Sequence, residues 1–265
     1  MAAPFDHIAT SMDTVFAPSV IGQLHRKRVW RYMEEITPQL NGMDILELNC
    51  GSGEDAALFG HKGFNILATD VSEEMLKVTA QKENRFSMLG KVSSQYLDPD
   101  SFDETVFDKK FDLIFSNFGG LNSIDKPSLQ VLLSKIPSIL TPGGRFIGVA
   151  MSRFCMWETV YLLLKFRFKK AFQRVICKAF VQDGQGTPLT TWLYNPSQIE
   201  KWSGTKFNLI RKIPIGFALP PAHLEKNFIK RKRLLLRLHQ WSKTVERLSF
   251  LSGMADYYLI DLQLK

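Results

Sequence analysis

Glu47, Asn49, Gly51 and Gly53 lie close together in the run ILELNCGSGEDAALF, Ile45 to Phe59, and the acids Glu54 and Asp55 follow at once. Glycines placed directly after an apolar run let the backbone pass close to a ligand. A second apolar run, NILATD, ends in Asp70. An acid at such a strand end commonly accepts hydrogen bonds from ribose hydroxyls. Gly51, Gly53 and Ala56 also fit the spacing G-x-G-x-x-G/A. The chemistry on offer is the holding of a ribose-bearing cofactor, and both NAD and S-adenosylmethionine would meet it.

Charge separates the two. A diphosphate seeks bare N–H groups at a helix N-terminus. Here Glu47, Glu54 and Asp55 bring three carboxylates to that place. They would repel a diphosphate and accept a ligand that carries a sulfonium and an ammonium. Glu54 and Asp55 also have a plainer role, because acids in a first helical turn complement the helix dipole. Glu47 has no such role, since it interrupts an apolar strand.

Other reactive side chains are fewer. His7, His25 and His223 are candidates for a general base, with His7 and His223 ranked first. Each is as readily explained as a surface or structural histidine. His61 and His239 sit within predicted helices. Cys50, Cys155 and Cys177 lack C-x-x-C spacing, which points to reduced thiols in a cytoplasm and to no metal site. Trp157, Tyr161, Trp192 and Tyr194 are candidates to line an acceptor pocket, although aromatics at such spacing usually form core. Tyr161 and Lys165 match a Y-x-x-x-K pair, but the loop expected with that pair is missing.

The elements that must position these groups follow from periodicity. IGQLHRKRVWRYMEEI has helical spacing. Short apolar strands are predicted at MDILELNC, NILATD, KVSSQYLD, FDLIFSN and RFIGVAM. Helices fall between them at GEDAALFGHKG, SEEMLKVTAQKEN and SLQVLLSKIPSIL. Alternating strands and helices imply a doubly wound, mostly parallel α/β sheet. Past residue 151 the rhythm changes. A basic aromatic helix, a hairpin around a Gly-rich turn, a short helix, a sixth strand at FNLIRKIPIGFAL, a basic amphipathic helix and a closing strand are predicted.

Four segments together resemble the class I S-adenosylmethionine-dependent methyltransferases, and within them the UbiE-like, methyltransferase type 11 small-molecule group. ILELNCGSGEDA resembles motif I, ILATDVSEEML the second segment, FDLIFSN the fourth-strand motif and LTPGGRFI the turn before strand five. DHIATSMDTVF resembles the N-terminal lid. Two departures stand out: Asn49 replaces the first motif I glycine, and Met12 stands where the lid usually has an aromatic.

The resemblance implies a Rossmann-like sheet of seven strands with an antiparallel last strand. It implies one domain built as an N-terminal lid (1–40), a cofactor core (41–151), an acceptor lid inserted after strand five (152–210) and C-terminal strands and helix (211–265). S-adenosylmethionine would be the cofactor. Glu47 would help hold its methionyl ammonium through water, and Asn49, Gly51 and Gly53 would shape the loop around it. Asp70 would take the ribose hydroxyls, Val71 and Met75 would lie near adenine, and Asp98 would meet the adenine amino group. Asn117 and Phe118 would border the methyl group.

Net charge is −5 over residues 1–150 and +13 over residues 151–265. The basic half reads either as a solvated face or as a surface for an acidic or lipid-like acceptor. No nucleic-acid module or N-P-P-Y motif is present, which disfavours an RNA or protein methyltransferase. The sequence is also compatible with a non-catalytic cofactor-binding homologue and with membrane association through the helix near 224–248. No apolar stretch reaches membrane-span length and no secretion signal is visible, so a cytoplasmic enzyme acting on a small molecule is expected. The acceptor atom (oxygen, nitrogen or carbon) stays open.

Overall fold

The computed structural model describes residues 19–85, 89–175, 178–182, 188–228 and 231–265. Its strands are β1 (Asp44–Leu48), β2 (Asn65–Asp70), β3 (Val92–Tyr96), β4 (Phe111–Ser116), β5 (Leu140–Met151), β6 (Lys178–Gln182), β7 (Pro188–Trp192), β8 (Phe207–Ile215) and β9 (Tyr257–Leu264). Seven of them form one sheet in the order β3-β2-β1-β4-β5-β9-β8. β1 to β5 pair in parallel. β9 runs antiparallel to both β5 and β8. The seven-stranded, mostly parallel sheet expected from the sequence is therefore the one the chain forms, with its last strand inserted between β5 and β8. β6 and β7 make a separate antiparallel pair.

The helices are α1 (Val20–Ile36), α2 (Glu54–His61), α3 (Glu73–Arg85), α4 (Gly120–Ser123), α5 (Lys126–Ile139), α6 (Met156–Leu164), α7 (Phe168–Ala171), α8 (Pro196–Ser203) and α9 (Lys232–Val245). Alternate residues of a strand face opposite sides. In β1, Leu46 and Leu48 enter the core beneath α5, while Ile45 enters the core beneath α1 and α2. Glu47 shares the side of Ile45, which turns it toward α1 and α2. β4 is buried at every position, as a central parallel strand should be.

α1 is fixed at both ends by distant residues. Its first N–H groups need acceptors. Ser19 Oγ accepts from Gly22, and the Glu225 carboxylate accepts from the N–H groups of Val20 and Ile21, each at 3.0 Å. Further along, Tyr32 donates to Asp261 of β9, which also pairs with Arg145 of β5. Asp261 is fully buried, and that burial lifts its carboxyl above the ordinary range although Arg145 pulls the other way.

Three elements differ from the sequence expectation. The single basic helix expected around residues 157–176 is α6 and α7, broken at Phe166, whose φ is 56°. The C-terminal helix starts at Lys232, and Ala222–Asn227 is a 3-10 turn. Strand six ends at Ile215, because Gly216 takes φ 73° and turns the chain. His7, Met12 and the rest of residues 1–18 of the expected N-terminal lid lie outside the described residues.

Candidate active site

The turn after β1 is built from left-handed residues. Asn49, Gly51 and Gly53 have φ of 55°, 55° and 73°. Asparagine tolerates this region better than other non-glycine residues. Gly53 has a second reason to be glycine: a Cβ there would lie 2.6 Å from the Thr79 side chain of α3. The turn is tied to the end of β2. Asp70 accepts the Gly51 N–H through one carboxylate oxygen and the Ser72 N–H through the other, both at 2.9 Å.

The two acids of the first α2 turn do different work. Glu54 pairs with Lys82 of α3. Asp55 is buried and joins three elements. It accepts from Trp30 Nε1 at 2.6 Å, from Asn117 Nδ2 at 2.8 Å and from Arg26 Nη2 at 3.0 Å. The loop after β4 and helix α1 are thereby braced against the cofactor turn.

Inside this frame lies a group of polar atoms that are buried and unpartnered. They are Glu47 Oε2, Asn49 Oδ1, Ser116 Oγ and Asn117 Oδ1. The loops that carry them touch, since a Cβ on Gly120 would lie 2.6 Å from Ser116 Oγ and 3.0 Å from Asn49 Cβ. Glu47 is 1% exposed. Burial, then Asp55 and Asp70, hold its carboxyl well above the ordinary range, and Arg26 opposes them. Buried polar groups are normally paired, so acceptors left open in one place are what a donor-rich cation would satisfy. An ammonium and a sulfonium fit this site; a diphosphate does not.

The remaining expected residues fall as follows. Val71 is half-buried directly after Asp70. Met75 is 1% exposed, with its N–H capped by Ser72 Oγ at 3.2 Å. Asp98 is half-buried two residues past β3, and the Leu97 N–H to Asp70 carbonyl bond of 3.1 Å draws that strand end against Asp70. Its carboxylate accepts from the Asp100 N–H and the Ser101 hydroxyl. Phe118 packs edge-on against Tyr257 at 5.0 Å.

Of the histidines, His223 is 55% exposed and sits 3.3 Å from Glu158 of α6. His25, ranked lower from sequence, is buried, with Nε2 unpartnered and its ring 6.1 Å from that of Tyr257. A contact chain thus runs from Phe118 through Tyr257 to His25. Burial holds the His25 imidazole below its ordinary pKa, so it is neutral near pH 7. Sequence inspection also missed Arg26 and Trp30, because nothing in a helical pattern shows that two of its polar atoms reach Asp55.

The segment between β5 and α8 starts beside this site. Asn122, just past the β4 loop, accepts the Met151 N–H at 2.7 Å and donates to the Trp192 carbonyl at 2.5 Å. One side chain so fastens both ends of the insertion. Trp157 and Tyr161 stack on one another and pack on Phe228, and Tyr194 donates to the Ile124 carbonyl. Phe166, Phe168 and Phe172 face solvent. Lys165 is also exposed, beyond the end of α6, so Tyr161 and Lys165 form no catalytic pair. A cleft of about 480 Å³ lined by Gly42, Met43, Lys62 and Phe64 lies before β1 and β2, at the opposite end of the sheet.

A family model described as a methyltransferase domain matches residues 45–144. A ubiquinone/menaquinone biosynthesis C-methyltransferase of Shewanella sp. (strain ANA-3) is 30% identical over 185 residues, which is 67% of this chain and 70% of that protein. An S-adenosylmethionine-dependent methyltransferase from Clostridium acetobutylicum ATCC 824 superposes with a TM-score of 0.58 at 17% identity, covering 99% of both chains. The [4+2]-cyclase SpnF superposes with a TM-score of 0.60 at 15% identity, covering 98% of this chain and 93% of that one. At those identities the two solved structures speak to the fold alone.

Proposed function

The chain belongs to the class I S-adenosylmethionine-dependent methyltransferases, and on that premise we propose that it methylates a ring carbon of a small hydroxylated aromatic acceptor of quinol type. The observation that carries this reading is the 30% identity to a quinone-pathway C-methyltransferase over 185 residues. The acceptor side is compatible with it: Phe118, just past β4, packs on Tyr257, and Tyr257 packs in turn on the buried His25.

When bound, S-adenosylmethionine supplies a methyl group already activated on a sulfonium. Glu47, with the open oxygen of Asn117, would hold the ligand's ammonium, and Asn49 would shape the turn around it. Asp70 would take the ribose hydroxyls. Val71, Met75 and Asp98 would surround adenine, and Gly51 and Gly53 would keep the turn clear of side chains. Because the methyl donor is activated, positioning can supply much of the rate. A phenolic hydroxyl would give its proton to a neutral imidazole as the ring carbon takes the methyl group from the sulfonium, and the hydrogen on that carbon would then leave as a proton so that the ring regains its aromaticity and the hydroxyl its proton. His25 is the histidine we assign to that task, ahead of His7 and His223. The insertion 152–210 and the N-terminal 1–40 would enclose the acceptor.

The test is methyl transfer to a demethylated quinol, to a catechol and to an aryl amine, with the product's methyl position read by NMR. A new carbon–methyl bond on the quinol is expected, with a pH–rate profile that His25→Gln flattens on its acid side. Transfer to oxygen or nitrogen alone would overturn the quinol reading.

A further inference from the structure

Residues 160–172, VYLLLKFRFKKAF, place apolar and basic side chains side by side in solvent. Leu164 is 75% exposed, Phe166 82%, Phe168 57%, and Val160 and Phe172 50% each. Lys165, Arg167, Lys169 and Lys170 are exposed as well. No acidic residue occurs between Glu158 and Asp183.

This is not a slack loop. Leu162 and Ala171 already fill the inward positions, at 7% and 4% exposure. The Thr159 hydroxyl donates to the Ala171 carbonyl at 3.2 Å, which clasps α6 to α7. The Phe166 N–H bonds to the Leu163 carbonyl and the Arg167 N–H to the Leu162 carbonyl, each at 2.9 Å. That pair of bonds is a Schellman helix end, whose left-handed residue is usually glycine. Here it is Phe166, at φ 56°. A phenylalanine strained into the position that favours glycine, and exposed there, contributes nothing to the core. A surface outside the chain is what such a side chain could bury itself against.

We propose that this turn docks on an anionic lipid bilayer, with Leu164, Phe166 and Phe168 entering the interface and the four cations lying among acidic head groups. Charge complementarity supports the choice, since the segment is wholly cationic. Lysine argues for lipid over protein. It is depleted in the cores of protein interfaces, whereas at a membrane its stem lies along the apolar layer while the ammonium reaches the head groups. Three of the four cations here are lysines. Aromatic and basic residues that alternate in this way are how surface-bound segments hold to membranes. The proposal stands whatever the methyl acceptor is.

The full chain is mixed with phosphatidylcholine vesicles, with and without ~30% phosphatidylglycerol, and bound protein is measured by flotation at low and at physiological salt. Partitioning should rise at least tenfold on the anionic vesicles and fall with salt. Phe166→Gly should weaken it several-fold while raising Tm, a combination that misfolding cannot produce. Lys165→Gln, Lys169→Gln and Lys170→Gln together should weaken it by about fivefold per cation removed. Equal binding to both vesicles, or variants that bind as the unaltered chain does, would overturn the proposal. So would a defined complex with an acidic protein, held by the same residues, in a chain that ignores vesicles.

Discussion

Replacing Glu47 by glutamine should weaken S-adenosylhomocysteine binding and at the same time stabilise the free protein. Glu47 is almost wholly buried, and its Oε2 has no partner. Burial raises its carboxyl well above the ordinary range. A carboxyl whose pKa is higher folded than unfolded gives its full stability below the unfolded value of about 4.3. That contribution is lost as pH rises through the folded value, because the native state must then carry a buried charge. A ligand ammonium needs the carboxylate, so affinity should rise over the same window in which stability falls. Glutamine is close in shape and cannot ionise, so the share of both slopes that belongs to Glu47 should vanish. A hydrogen bond to a charged group is worth about 1.5–3 kcal/mol. The expected loss of affinity above the folded pKa is therefore roughly 10- to 150-fold. Titration calorimetry and urea unfolding at a series of pH values measure the two slopes. A glutamine variant that binds within threefold of the unaltered chain, or that keeps the affinity slope, would show that Glu47 does not face the ligand's cation.

Asp70→Ala should cost about 1–3 kcal/mol of S-adenosylhomocysteine affinity by calorimetry, since it removes both a ribose acceptor and the brace on the Gly51 N–H. Unchanged affinity in a folded variant would remove Asp70 from the ribose site. Asn49→Gly should raise Tm and leave affinity intact, because it relieves a left-handed residue and deletes a buried, unpartnered oxygen. A large loss of affinity would instead mark the Asn49 side chain as a direct contact. Asn122→Ala should free both ends of the insertion. Acceptor kcat/KM is expected to fall at least tenfold, with S-adenosylhomocysteine affinity held within about threefold, or ~0.7 kcal/mol; equal losses in both would argue against an acceptor role for the insertion.

The cofactor half of the site was legible because its determinants are local. Glycine and asparagine in a left-handed turn, Asp70 at a strand end and Glu47 within an apolar strand all show their oddity over a few residues. The parallel strands were legible for the same reason, whereas the antiparallel β9 came from the resemblance. The bracing of the site was not. Trp30 and Arg26 belong to an ordinary amphipathic helix until α1 is laid beside Asp55, and Asn122 is one polar residue in a short run until it meets Met151 and Trp192. His25 was passed over for a similar reason. Burial of a histidine depends on what packs around it, here Tyr257 and Gly216, both nearly two hundred or more residues away. Composition alone likewise cannot tell the packed aromatics of this segment, Trp157 and Tyr161, from the solvent-facing Phe166, Phe168 and Phe172.

The clasp between Glu225 and the first turn of α1 sets the order in which a newly made chain can become competent. Val20 and Glu225 are 205 residues apart. At the usual pace of synthesis Glu225 follows Val20 from the ribosome by roughly 10–40 s. Throughout that interval the first N–H groups of α1 have no carboxylate to meet. α1 also supplies Trp30 and Arg26, the braces on Asp55 and so on the turn after β1. A nascent chain can therefore finish β1 to β5 before the Glu225 carboxylate is there to close the first turn of α1.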